Sequence, residues 1–94
     1  MYAENNGVKI WYEIHGRGEP TLVMVPGFQI GHSEWYKRTY SPFLSRHMRV
    51  VTLDLRGNGG SDRPKDGYNL ETYVEDIHSV VEAAGLDHFA MAGQ

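Results

Sequence analysis

Three short apolar runs constrain the fold of this chain more than any other feature. They are TLVMV at 21–25, RVVTLDL at 49–55 and HFAMA at 88–92. Their apolar residues follow one another with few interruptions, which is typical of strands covered on both faces. Because helical or turn-rich segments separate them, the runs predict parallel strands joined by right-handed crossovers, with helices on both faces of the sheet.

The first fifteen residues predict an antiparallel hairpin at one edge of that sheet. Asn6-Gly7 is a strong signal for a two-residue hairpin turn, because both central positions of such a turn need positive φ. In VKIWYEIH, at 8–15, apolar and polar side chains alternate, as they do in a strand with one solvated face. The predicted fold class is therefore α/β, with a mostly parallel sheet preceded by an antiparallel hairpin.

Two helices are predicted between the parallel strands. The first spans 33–44, where Ser33 can act as the N-cap and Pro42 must kink or shorten the helix. The second lies between Asn69, which can cap its start, and Gly85, which can end it. Its apolar residues keep helical spacing: Leu70, Tyr73, Val74, Ile77, Val80, Val81 and Ala84. All these elements belong to a single domain.

Composition argues against several functions. The formal net charge is -3 and the basic residues are scattered, so we expect no nucleic-acid partner. The chain has no cysteine, which removes disulfides, thiolate nucleophiles and zinc-thiolate sites within it. We also see no signal-peptide pattern and no run of membrane-spanning length, so we expect a cytoplasmic protein without a membrane partner.

The loop after the first apolar run, VPGFQIGHSEW, is the first candidate site. In an α/β sheet, ligands bind where the chain leaves the carboxyl end of a strand. Gly27 lets the backbone turn so that the following N–H groups face outward, and the N–H of Phe28 is the candidate donor to a developing oxyanion. A tight strand-to-helix connection without chemistry explains the same residues, and the loop alone does not decide between the two.

The turn-rich segment DLRGNGGSD, which begins at Asp54, does not fit a nucleotide site. Counted from Gly57 and Gly59, the third glycine of the dinucleotide pattern falls on Asp62, and no Walker-type G-K-[ST] sequence is present. The segment predicts instead a sharp turn that Asp54 and Arg56 brace and whose glycines take unusual φ values. These residues would shape a site rather than react in it.

The ending MAGQ is the third candidate. A strand followed by G-x-nucleophile-x-G forms the strained elbow that projects a side chain above a parallel sheet. Gly93 and Gln94 fit the first two positions of that pentapeptide. By itself this ending does not indicate a nucleophile elbow. It becomes informative only in combination with the two segments above.

Together, these segments resemble the N-terminal part of an α/β-hydrolase fold protein, across essentially all 94 residues. NGVKIWYEIHG is similar to the opening strands, and LVMVPGF with Trp35 to the oxyanion loop and first helix. VVTLDLRGNGGSD fits the family's D-x-R-G-x-G-x-S turn, and Asp76 stands in the next helix where the family usually has an acid. One departure is Pro26-Gly27, where the family commonly has His-Gly.

The resemblance implies a hydrolase that opens an ester, lactone, thioester or related acyl bond of a small molecule with a Ser-His-Asp/Glu triad and no cofactor. All three triad residues would follow Gln94, the nucleophile directly. Residues 1–94 would then be the incomplete N-terminal part of one domain, inactive alone, with the missing C-terminal part of the same fold as partner. An aspartate nucleophile, as in dehalogenases and epoxide hydrolases, and a non-catalytic relative that binds a ligand or a protein remain as alternatives.

The resemblance also assigns roles inside the chain. The N–H of Phe28 would be one oxyanion donor. The residues that line the substrate pocket would be Gly27, Gln29 and His32. The residues that shape the site would be Asp54, Arg56, Gly57, Gly59, Ser61, Gly93 and Gln94. None of the five histidines would be the catalytic base, and no residue would bind a metal.

Overall fold

Five strands form one sheet in the part of the chain that the structure describes. This structure, a computed structural model, describes residues 1–26, 37 and 40–93. The strands are β1 (Tyr2–Asn5), β2 (Val8–His15), β3 (Thr21–Val25), β4 (Arg49–Leu53) and β5 (Ala90–Gly93). The described helices are α1 (Ser41–Leu44) and α2 (Leu70–Ala83). Across the sheet the strand order is β1-β2-β4-β3-β5.

β1 and β2 form the predicted antiparallel hairpin. Asn5 pairs with Val8, which leaves Asn6 and Gly7 as the two turn residues. Both have positive φ, 50° at Asn6 and 84° at Gly7, as the favoured hairpin turn requires. The hairpin is confirmed, and its second strand joins it to β4 in antiparallel pairing.

The remaining strands are parallel, as the apolar runs predicted. β3 pairs with β4 on one side and with β5 on the other, where the register ends at Val25 and Gly93. The carboxyl ends of these three strands therefore meet at one edge of the sheet.

Helices cover both faces of the sheet, which confirms the predicted fold class. Val23 of β3 belongs to a buried cluster that includes Val80 of α2. Its neighbour Met24 belongs to a second cluster, against which Leu44 of α1 packs. Successive side chains of a strand point to opposite faces, so α2 and α1 lie on opposite sides.

α2 begins and ends where the sequence predicts. Oδ1 of Asn69 accepts a hydrogen bond from the N–H of Thr72 at 2.9 Å, which satisfies one of the free donors of the first turn. Gly85, just past the helix, has a φ of 70°, a conformation that glycine commonly adopts at helix ends. Neither described helix has the length and apolar character needed to cross a membrane.

The first helix differs in part from its prediction. α1 spans Ser41–Leu44, and Pro42 lies in its first turn, where the missing N–H costs no hydrogen bond. Residue 37 is also helical, whereas the predicted cap, Ser33, lies outside the described residues. Phe43 of α1 is 62% exposed.

The last strand differs more clearly. It spans Ala90–Gly93 rather than 88–92, and Met91 is 53% exposed. The physical reason is that β5 stands at the end of the strand order and pairs, within the described chain, with β3 alone. β4 also ends at Leu53, two residues before the predicted end.

Candidate functional site

Two neighbouring strand ends frame the candidate site. β3 and β5 run parallel, and the last pair in their register is Val25 and Gly93. Neighbouring strands lie about 4.8 Å apart, so the two strand ends lie side by side. The predicted oxyanion donor follows β3 in the sequence, and the nucleophile is expected to follow β5.

Several predicted site residues lie outside the described residues. They are Gly27, Phe28, Gln29, His32 and Gln94, and their roles stay predictions. Gly93 is described, and a Cβ at this position would lie 3.6 Å from the carbonyl oxygen of Val25, an ordinary contact distance. β3 therefore leaves room for a side chain at Gly93, and a requirement for glycine there also stays a prediction.

The turn after β4 is closed by Asp54 and Ser61, which are both buried. Oδ2 of Asp54 accepts a hydrogen bond from the N–H of Gly60 at 2.9 Å, and the Ser61 hydroxyl donates to the carbonyl oxygen of Asp54. The same hydroxyl accepts from the N–H of Trp11 at 2.8 Å, which ties the turn to β2. Asp54 thus holds the turn in shape, and its influence on an active site stays a prediction.

Close packing explains the glycine at position 57. Its φ is 85°, and a Cβ there would lie 2.8 Å from the Tyr68 ring, closer than carbon atoms pack. Gly59 also has a positive φ, of 52°. The turn therefore takes the unusual φ values that its sequence predicted.

Arg56 and Asp76 form a buried ion pair between this turn and α2. Nε and Nη2 of Arg56 donate to the two carboxylate oxygens of Asp76 at 2.6 and 2.7 Å. Arg56 is 5% exposed and Asp76 is 0% exposed. Two parallel charge-assisted hydrogen bonds fix the relative position of the side chains. The hydrogen bond to Asp76 also raises the pKa of the Arg56 guanidinium above its ordinary value.

Asp76 contacts the hairpin as well. Nδ2 of Asn5 donates to its Oδ1 at 2.9 Å, so one carboxylate joins the hairpin, the turn and α2. The sequence motifs single out Arg56 and Asp76 but do not pair them. A signal was present, because Asp76 keeps helical spacing with Tyr73 and Val80 on the core face of α2, and a buried acid needs a partner there.

A second polar cluster, which the sequence did not predict, centres on Glu13 of β2. Oε1 of Glu13 accepts from Nζ of Lys37 at 2.7 Å and from Nε1 of Trp11 at 3.3 Å. Nε2 of His15 lies 4.0 Å from the other carboxylate oxygen and 3.5 Å from Oγ1 of Thr52. Burial raises the pKa of Glu13, but the hydrogen bonds from Lys37 and Trp11, with the nearby positive charge, outweigh it and the net shift is downward.

Three of the histidines lie on the surface of the described structure. On α2, Nδ1 of His78 lies 3.3 Å from Oε1 of Glu82, and both side chains are exposed. His47 packs edge-on against Phe43. His88 is also exposed. Across residues 1–26, 37 and 40–93, no three His, Asp or Glu side chains are grouped to hold a metal ion.

The strand order, the helices on both faces and the paired strand ends define an α/β-hydrolase fold. Residues 20–94 match the model of the alpha/beta hydrolase fold family. That match covers every parallel strand of the sheet. The chain therefore belongs to this family.

Individual relatives cover several activities. The chain is 33% identical to the putative non-heme chloroperoxidase of Synechocystis sp. over 86 residues, 92% of the chain and 30% of that protein. It is 33% identical to the soluble epoxide hydrolase of Corynebacterium sp. over 88 residues, 94% of the chain and 30% of that protein. The solved structure of Est816, described as an N-acyl homoserine lactone degrading enzyme, matches with a TM-score of 0.83 and 33% identity, over 97% of this chain and 34% of that one. The chain thus spans about a third of the length of the relatives it matches.

We expect the Arg56–Asp76 pair to be strongly coupled in the complete protein. Asp76→Asn leaves the buried guanidinium without its counter-charge, and Arg56→Met leaves the carboxylate without one, so each should lower the free energy of unfolding by about 3 to 5 kcal/mol. The double variant removes both charges and should lose less than the sum. Urea unfolding of the four proteins measures the coupling, and strictly additive losses would show that the pair is not coupled.

We also expect Glu13 to contribute to stability in a pH-dependent way. Its folded pKa lies below the ordinary value of 4.5, so its carboxylate stabilises the fold above pH 4.5, and this contribution is lost as pH falls through the folded pKa. The difference in free energy of unfolding between the native protein and Glu13→Gln should therefore shrink from about pH 6 to about pH 3.

Urea unfolding at a series of pH values measures this difference. Lys37→Met is the matched control, because it removes the charged donor that lowers the pKa of Glu13. In the Lys37→Met background, Glu13→Gln should change the pH dependence of the free energy of unfolding less. A difference that stays constant with pH in the native background would contradict the role of Glu13.

Proposed function

We propose that the complete protein hydrolyses an ester, lactone, thioester or related acyl bond through a serine nucleophile. The observation that carries the proposal is the parallel pairing of β3 and β5 up to Val25 and Gly93. An acyl hydrolase of this fold needs an oxyanion donor from the loop after one strand beside a nucleophile on the elbow after another. The similarity to Est816, described as a lactone-degrading enzyme, supports the acyl substrate class.

In the proposed reaction, a serine directly after Gln94 attacks the substrate carbonyl carbon. A histidine farther along the chain takes the serine proton as the C–O bond forms, and gives it to the leaving alcohol or thiol when the tetrahedral intermediate collapses. Water then opens the acyl-enzyme with the same histidine as base. The N–H groups of Phe28 and of the residue after the serine stabilise the oxyanion.

In this proposal, residues 1–94 are the N-terminal part of a single hydrolase domain. The nucleophile, the histidine and the acid that orients it all follow Gln94, so the 94-residue chain alone has no hydrolase activity. Gly27, Gln29 and His32 line the pocket for a small acyl substrate. The C-terminal part of the same fold is the partner, and the reaction uses no cofactor, nucleic acid or membrane.

An aspartate nucleophile at the same position is the second candidate. The similarity to the soluble epoxide hydrolase of Corynebacterium sp. favours it. Such a carboxylate attacks a saturated carbon and forms an ester intermediate. Against a dehalogenase, Phe28 favours the acyl reaction, because it supplies a backbone donor to an oxyanion but no side-chain donor to a halide.

A fluorophosphonate probe distinguishes serine from aspartate. The probe phosphonylates an activated serine with loss of fluoride, so we expect the complete protein to gain one probe mass on the residue after Gln94 and to lose ester hydrolysis in proportion. Intact-mass and peptide-fragment spectra measure the gain, and alanine in place of that serine is the control. An unlabelled protein that still opens epoxides would contradict the serine mechanism.

The backbone donor at Phe28 can be tested separately. Proline lacks an N–H, so Phe28→Pro should lower kcat by about 10²- to 10³-fold with little change in KM. Phe28→Ala keeps the N–H and is the matched control, which should retain most of kcat. Steady-state kinetics on variants with native circular dichroism spectra measure the effect. Equal losses in both variants would show that the side chain, rather than the N–H, matters.

A further inference from the structure

The ion pair between Glu13 and Lys37 joins β2 to the chain that follows β3. Nζ of Lys37 donates to Oε1 of Glu13 at 2.7 Å, and each side chain is 28% exposed. Lys37 is helical. Segment 27–36, which separates Lys37 from Pro26, lies outside the described residues and contains Phe28, the predicted oxyanion donor. The reaction proposed above gives this ion pair no role.

The register of the sheet shows over which strand Lys37 is held. Glu13 pairs with Thr52 of β4, and Thr52 pairs with Met24 of β3. The three residues form a row across adjacent strands, so about 10 Å separates the backbones of β2 and β3. Side chains of one row lie on the same face, which is the α1 face because Leu44 of α1 packs against the cluster of Met24. The chain that leaves β3 is therefore held over β2, on the α1 face, at Lys37.

Glu13 is held in place by a second donor besides Lys37. Nε1 of Trp11 donates to Oε1 of Glu13 at 3.3 Å. The backbone N–H of Trp11 donates to the Ser61 hydroxyl at 2.8 Å, and a Cβ at Gly60 would lie 3.0 Å from the Trp11 ring. Most exposed ion pairs are weak because both side chains lose conformational entropy, and here one partner is already ordered. The ion pair thus connects the chain after β3 with the turn after β4.

Both ends of segment 27–36 are joined to the sheet. At one end, Pro26 is buried and follows directly on β3. At the other end, Lys37 is joined to β2 through Glu13. Fixing the second end of a loop removes conformations that a loop with one free end can adopt. An oxyanion donor acts only when it is held where the charge develops, and a displacement of about 1 Å can cost about 100-fold in rate.

We infer that Glu13 is a positioning residue: through its ion pair with Lys37 it fixes segment 27–36, and with it the N–H of Phe28, beside the nucleophile expected after β5. The role of Phe28 in this inference rests on the proposed function. The inference goes beyond that function because β2, which contributes no atom to the proposed reaction, then contributes to its rate.

Steady-state kinetics of the complete protein on a p-nitrophenyl ester test this role. Glu13→Gln and Lys37→Met each break the ion pair, and each should lower kcat about tenfold with little change in KM, because the segment keeps its other end. Lys37→Arg keeps a charged donor and should retain most of kcat. Glu82→Gln is the control, because it breaks an exposed ion pair with His78 on α2, and it should leave kcat unchanged.

A double variant separates positioning from a general effect on the fold. Phe28→Pro removes the N–H that the ion pair positions, so adding Glu13→Gln to it should lower kcat less than about twofold. A loss of stability would instead lower activity to the same extent in both backgrounds. Equal kcat losses in the two backgrounds would overturn the inference, and so would an unchanged kcat in Glu13→Gln.

Hydrogen exchange tests the structural part without the reaction. Mass spectrometry of the complete protein follows the backbone amides of 27–36, with those of the largely exposed loop at 63–68 as internal control. We expect Glu13→Gln and Lys37→Met to speed exchange in 27–36 by about threefold or more and to leave 63–68 unchanged, since only openings that break the ion pair become more frequent. Equal acceleration in both segments, or none in 27–36, would contradict the positioning role.

Failure of this inference can be told apart from failure of the proposed function. If the fluorophosphonate probe does not label the protein but exchange in 27–36 accelerates, the serine mechanism is wrong and the ion pair still fixes the segment. If the probe labels the protein and neither kcat nor exchange responds to Glu13→Gln, the serine mechanism stands and the positioning role is wrong.

Discussion

Strand β3 is hydrogen-bonded to a parallel strand on each side, and the rest of the described structure depends on that constraint. Parallel neighbours cannot be joined by a tight turn, so each needs a crossover, and a common handedness sends α1 and α2 to opposite faces. Val23 and Met24 are 0% and 4% exposed, because each is covered from its own face. The strand end at Val25 is therefore supported by neighbouring strands and by the packing on both faces.

The turn after β4 is positioned by charge as well as by apolar packing, since Leu55 also lies in the core cluster. Two buried charges cost free energy to remove from water, and their mutual attraction offsets that cost only when geometry and hydrogen bonding are good. Arg56 and Asp76 meet this condition through two short hydrogen bonds and through the amide of Asn5. An apolar pair could fill the same space in many orientations, whereas the planar guanidinium accepts few. The three hydrogen bonds to Asp76 therefore join the hairpin, the turn and α2.

The sequence predicts those features that neighbouring residues decide. The Asn6-Gly7 turn and the Asn69 cap depend on chemistry within a few positions, and the structure confirms both. The Arg56–Asp76 and Glu13–Lys37 contacts join residues far apart in the chain, and no local rule pairs them. An apolar run such as 88–92 indicates a strand that needs cover but not what covers it, and Met91 is 53% exposed in the described chain. The proposed pocket residues from Gly27 to His32 lie outside the described residues, so their roles stay predictions.

The pairing of Val25 with Gly93 also bears on the order in which the protein assembles. A hairpin such as β1–β2 or a helix such as α2 forms from local contacts within about 10 μs. Val25 and Gly93 can meet only after the chain between them has completed two crossovers. Closing so long a loop costs conformational entropy, and this cost comes before the contact stabilises the sheet. We therefore expect the edge of the sheet with the candidate site to form late in folding. On the ribosome, every residue of the hairpin is therefore synthesised well before the strand that pairs with β3 beside the candidate site.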